Sequence, residues 1–122
     1  MGKNIRLDGR GCLKMWIYDK NFFCSVVETG GNLMVRFRSK EHAIKFVKIA
    51  GIEKDKIIIT EDSDYRFRVI MGRNDFADLM YQEIMKIDYT NFKNAAHDRG
   101  ISTKESNAMF GVWRAMAEYQ ER

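Results

Sequence analysis

Two hydrophobic periods divide this chain. Up to about residue 71 apolar side chains recur at every second position within short runs, and from Asn74 onward they recur every third or fourth. The first period belongs to strands half-buried in a sheet, the second to amphipathic helices. Strands collected first and helices collected last predict an α+β fold: an antiparallel sheet of about five strands with one short helix inserted, and C-terminal helices packed against one sheet face.

The punctuation agrees with these periods. Leu13, Met15 and Ile17 alternate with Lys14, Trp16 and Tyr18, and after Asp19-Lys20-Asn21 a β-branched and aromatic run covers 22–28, which reads as a hairpin. Thr29-Gly30-Gly31-Asn32 is a second turn, and Leu33, Val35 and Phe37 then alternate with Met34, Arg36 and Arg38. Ser39 is placed to cap a helix of about three turns carrying Ala43, Phe46, Val47 and Ala50, which Gly51 ends. Strands at Lys56–Thr60 and Tyr65–Met71 flank the polar turn Glu61-Asp62-Ser63-Asp64. Beyond Asn74, Phe76, Leu79, Met80, Ile84 and Ile87 form one helical stripe; Asp88 or Thr90 can cap a short helix to about His97, and Ser102 with Glu105 opens a last helix toward Gln120.

A length of 122 residues fits one domain, with residues 1–14 as an N-terminal extension, 15–71 mainly sheet and 73–120 mainly helix. Charges among the first dozen residues break up any apolar stretch of the kind a signal peptide needs, and no apolar run approaches a membrane span. A cytoplasmic protein with reduced Cys12 and Cys24 is expected. The formal charge of +4 suits an anionic partner without demanding DNA.

Strand parity directs attention to the arginines. Arg36 and Arg38 project to one side of their strand, and Arg66 and Arg68 to one side of theirs, so that neighbouring strands would gather four guanidinium groups on one face. Such a row is either the solvated face of a one-sided sheet or a surface for phosphate, to which arginine is suited by its bidentate geometry. Trp16 lies opposite in parity to Leu13, Met15 and Ile17, and is the candidate to stack on a base. The junction Asp88-Tyr89-Thr90-Asn91-Phe92-Lys93 could meet a purine edge or ribose hydroxyls, or could simply satisfy helix-end amides. In the last helix Met109, Phe110, Val112, Trp113, Met116, Ala117 and Tyr119 span about half the circumference, so that either the helix is central in the monomer or, as expected here, part of the arc meets another subunit; Arg114 lies at the edge of that arc.

Enzymatic signals are weak. His42 and His97 are far apart, the acids at 61–64 suit a turn better than a calcium loop, and no metal, nucleophile or phosphate-loop motif occurs. Neither a cofactor nor a metal is expected.

In order along the chain, Met15-Trp16-Ile17-Tyr18, Phe22-Phe23-Cys24-Ser25-Val26-Val27, Leu33-Met34-Val35-Arg36-Phe37-Arg38, Asp64-Tyr65-Arg66-Phe67-Arg68, Ile87-Asp88-Tyr89-Thr90-Asn91-Phe92-Lys93 and Val112-Trp113 with Met116 resemble the first-described type of the phage Thoeris anti-defence family. The resemblance implies a sponge acting in the bacterial host cytoplasm. Members of that family bind, without cleaving, a cyclic ADP-ribose isomer made by the TIR-domain enzyme of the Thoeris system, and some also hold cyclic trinucleotides of another pathway. It implies a homo-oligomer, a hexamer in family members, with nucleotide held between subunits. By matching motifs it makes Trp16, Arg36, Arg66, Arg68, Asn91, Phe92 and Arg114 ligand-binding residues. Residues 1–14 precede the likeness, and His97 to Ala108, with Arg99, differs from the family stretch. The competing readings are a basic nucleic-acid-binding module, although no stable nucleic-acid partner is expected, and a direct protein inhibitor of a host enzyme.

Overall fold

The computed structural model describes residues 15–98 and 100–121, so that the N-terminal extension, Cys12 and Arg99 lie outside the described residues. Among the described residues the protein has an α+β fold of five antiparallel strands and four α-helices, and it divides into two compact units, Met1–Ile87 and Asp88–Arg122.

In the first unit the strands are β1 (Met15–Tyr18), β2 (Phe23–Thr29), β3 (Asn32–Phe37), β4 (Ile58–Ile59) and β5 (Phe67–Met71), in the spatial order β1-β2-β3-β5-β4. Both expected hairpins are present. At the first, Asp19 N–H donates to the Phe22 carbonyl at 2.8 Å, and the Asp19 carboxylate accepts from the Asn21 N–H at 3.2 Å. At the second, Gly30 and Gly31 both take positive φ, 54° and 87°, the pair of left-handed residues a two-residue type I′ turn requires.

The inserted helix α1 (Lys40–Ala50) begins where Ser39 Oγ accepts from the His42 N–H and ends at Gly51 in the left-handed region, φ 73°. Both caps are those the sequence predicts, because each depends on neighbours within one helical turn. A 3-10 turn at Lys54–Lys56 takes the chain to β4, which is shorter than the run Lys56–Thr60. Helix α2 (Arg73–Met85) follows β5.

Cys24, Val26, Val35, Phe37, Val69 and Met71 share one sheet face and meet Ala43, Phe46 and Val47 of α1 and Phe76 and Leu79 of α2. Phe22, in the first turn, packs edge-on to Phe37 and Phe46. The stripe expected on α2 is only half right. Phe76 and Leu79 are buried, whereas Ile84 is 62% exposed and the buried position after Leu79 is Glu83, with Lys86 Nζ 3.1 Å from its carboxylate. At 100° per residue position 83 returns to within about 20° of Phe76 while position 84 lies about 80° away, and Ile87 falls beyond the helix end.

The second unit holds α3 (Phe92–Asp98) and α4 (Thr103–Tyr119). Helix α3 is capped by Asn91 rather than by Asp88 or Thr90: Asn91 Oδ1 accepts from the Asn94 N–H at 2.9 Å and its carbonyl from Ala95 at 3.1 Å. Helix α4 opens as expected, Ser102 Oγ accepting from the Glu105 N–H at 3.1 Å. Ala96 and Met109 are buried; Phe110, Val112, Trp113, Met116 and Tyr119 are at least half exposed. No helix among the described residues is long and apolar enough to cross a membrane.

Candidate anion-binding face

The register carries one row of side chains across the whole sheet. Trp16 pairs with Ser25, Ser25 with Arg36, Arg36 with Arg68, and Arg68 with Ile58. Cα partners in an antiparallel ladder project to the same side, so these five residues stand on the face opposite α1 and α2. The sequence assigns Arg36 and Arg68 to strands; only the pairing of β3 with β5 makes them neighbours.

Neutral groups hold these guanidinium groups in place. Arg36 Nη2 donates to Ser25 Oγ at 2.8 Å, and Ser25 is fully buried. Arg68 donates from Nε to the Tyr65 carbonyl at 3.1 Å, from Nη1 to the sulfur of Met34 at 3.3 Å, and from Nη2 to Ser63 Oγ. Arg38 Nη1 donates to the Asp64 carbonyl at 3.2 Å. The ring of Tyr65, 2% exposed, lies under two of them, with the Arg36 and Arg38 guanidinium carbons 4.6 Å and 4.2 Å from its centroid. Each such contact is worth about 0.5–2 kcal/mol, and orders the cation without neutralising it.

Electrostatically the face stays positive. Among the described residues Arg36, Arg38 and Arg68 form no ion pair with a carboxylate, whereas Arg66, just before β5, is paired to Glu61 at 2.5 Å. Asp64 lies near enough to feel the cluster. Desolvation acts to raise its carboxyl, but the Tyr65 N–H, the Ser63 hydroxyl and the charges of Arg36 and Arg38 outweigh it and hold Asp64 below the usual carboxylate range. The Arg36 Nε is buried and has no hydrogen-bond partner.

Trp16, 62% exposed, lies two strands from Arg36 on the same face and packs edge-on to Phe23 at 5.8 Å; Tyr18 meets Phe23 at 5.4 Å. Phe23, from the aromatic run of the first hairpin, is on the arginine face. Strands lie about 4.8 Å apart, so an aromatic platform and a cationic group stand roughly 10 Å apart on one surface.

No family model, curated protein or solved structure matches this chain.

The candidates fall into two sets. Trp16, Arg36 and Arg68 share the sheet face, and Arg66 is close in sequence but occupied by Glu61. Asn91, Phe92 and Arg114 belong to the second unit. There Asn91 uses its side-chain oxygen as the α3 cap and retains its amide N–H groups as donors, Phe92 is half-buried at the first position of α3, and Arg114 is exposed with Glu118 at 3.9 Å. Ser25, Ser63 and Tyr65 are site residues that the sequence does not announce, and Arg38 is one that strand parity puts on the face without marking it as part of the site. Their roles depend on register and on the loop before β5, neither of which has a local signal. Among the described residues no group of His, Cys, Asp and Glu is arranged to hold a metal ion.

Proposed function

We propose that this protein is a binding protein for a compact nucleotide-derived anion, which it captures without breaking its bonds. The observation that carries the reading is the Arg36–Arg68 pair, flanked by Arg38, with guanidinium groups aimed by hydroxyls, carbonyls and an aromatic ring instead of by carboxylates. Such groups supply charge-assisted hydrogen bonds worth about 1.5–3 kcal/mol each to a phosphate. Trp16 supplies the stacking surface for a base, worth about 1–3 kcal/mol.

In its specific form the reading is the one the family resemblance implies: a phage anti-defence sponge for a cyclic ADP-ribose isomer, with cyclic trinucleotides as further ligands, acting in the host cytoplasm. The exposed apolar arc of α4 supports assembly into a homo-oligomer, the hexamer of the resembled family. Nanomolar capture requires about 12 kcal/mol, which several arginines, one ring and a second subunit's surface together can provide.

Calorimetric titration with the cyclic ADP-ribose isomer tests the ligand, and heating the loaded protein tests the chemistry. Sub-micromolar binding and release of the intact compound are expected. Absence of binding refutes the ligand, and a hydrolysed product refutes capture without turnover. Affinity for linear RNA or DNA that grows with length would transfer the arginine face to a nucleic-acid partner.

A further inference from the structure

At the far edge of the sheet, strand pairing stops early. β4 meets β5 only at Ile58↔Arg68 and Ile59↔Phe67, and next to them the Thr60 N–H donates to the Arg66 carbonyl at 2.7 Å. Backbone groups that face outward alternate along a strand, so bonding at Arg66 and Arg68 makes Ile70 the next residue to present its N–H and C=O to this edge. The β4 register would place Lys56 there, but Lys56 belongs to the 3-10 turn. Ile70 is thus left without a ladder partner on that side, an open position of the kind that accepts another strand.

A groove of about 910 Å³ lies along this gap. Ile58 and Ile70, from the arginine face, and Met71 and Leu79, from the core side, both line it, which locates it at the sheet edge itself. Its polar rim is acidic: Asp55 from the 3-10 turn and Asp75 and Asp78 from α2, against Lys56 alone.

We propose that this edge is a docking site for an extended basic segment of a partner protein, which continues the sheet where β4 ends. Main-chain bonds to Ile70 supply the pairing, apolar side chains of the segment enter the groove, and its lysines or arginines meet the carboxylates. Acidic groups contributed by two separate elements favour a chain that bears several cations over a single small ion. The inference is independent of the arginine face.

The probe is a fluorescein-labelled, end-blocked hexapeptide of alternating lysine and valine, followed by fluorescence anisotropy. The peptide is expected to bind the wild-type protein, and a version with glutamate in place of lysine is expected not to. A version N-methylated at its central amides should bind at least about fivefold more weakly, because it lacks the N–H groups that pair with a strand edge. The Asp55→Asn/Asp78→Asn variant, both positions exposed and its fold checked by thermal melting, should also lose about fivefold or more. The proposal is overturned if the lysine peptide does not bind at low salt, if the glutamate peptide binds equally, or if either N-methylation or the double substitution leaves affinity unchanged.

Discussion

Arg36 and Arg68 are Cα partners on adjacent antiparallel strands, 32 residues apart in sequence and directly opposite in the sheet. Like charges at such positions destabilise a sheet. Relieving that repulsion should offset much of what is lost with the hydrogen bonds of Arg68. Arg68→Met is therefore expected to change unfolding free energy by less than about 1 kcal/mol and to weaken the proposed nucleotide binding by at least about 1.5 kcal/mol. Urea denaturation and calorimetry read the two quantities separately, and unaltered affinity in the folded variant would remove Arg68 from the site.

Ser25 is the neutral support of the same pair. It is fully buried and accepts from Arg36 at 2.8 Å, while Arg36 Nε already lacks a partner. Ser25→Ala leaves a second guanidinium nitrogen without that acceptor, and is expected to cost about 1–3 kcal/mol of stability. A lower urea midpoint at unchanged slope is the predicted result.

Cys24 gives a pH signature. Burial, reinforced by the charge of Asp19, pushes its thiol up from 9.0 to about 12. The folded thiol thus holds its proton where the unfolded one loses it. This contribution to stability is complete below pH 9.0 and is lost as pH rises through the interval to about 12. Within that window wild-type stability should fall more steeply than that of Cys24→Ala, by up to about 1.4 kcal/mol per pH unit. Parallel curves in denaturant titrations at pH 8 to 11 would contradict this account.

Trp113 stacks on Phe110 at 5.6 Å, lies under Lys93 at 4.6 Å, and is 51% exposed. If its free half is buried between copies in the proposed homo-oligomer, Trp113→Glu inserts a charge there and should convert that assembly to smaller species in sedimentation velocity, with helicity retained. An assembly that survives the substitution excludes this surface as the contact.

Much of the fold was legible because its signals are local. Ser39, Gly51 and Ser102 act on amides and carbonyls within one helical turn, and Gly30-Gly31 alone satisfies a turn that needs two left-handed residues. Strand parity likewise needs only neighbours, so Arg36 with Arg38 and Arg66 with Arg68 were readable as pairs. Asn91 caps α3 in place of Asp88 or Thr90 because the helix starts at Phe92, and Glu83 takes the buried side of α2 in place of Ile84 because it lies within about 20° of Phe76 around the helix, neither of which residue type alone reveals.

The amino-acid order by itself determined which segments become strand or helix, where they turn, and which side chains share a side of each strand. Tertiary structure alone decided that β3 lies beside β5, that Arg36 faces Arg68 and Ser25, that Tyr65 slips beneath two arginines, and that β4 ends before Ile70. Periodicity and capping are energies of residues a few positions apart. Strand order and register are set by burying Val35, Phe37 and Val69 against α1 and α2 together, a long-range condition that joins residues far apart in the chain.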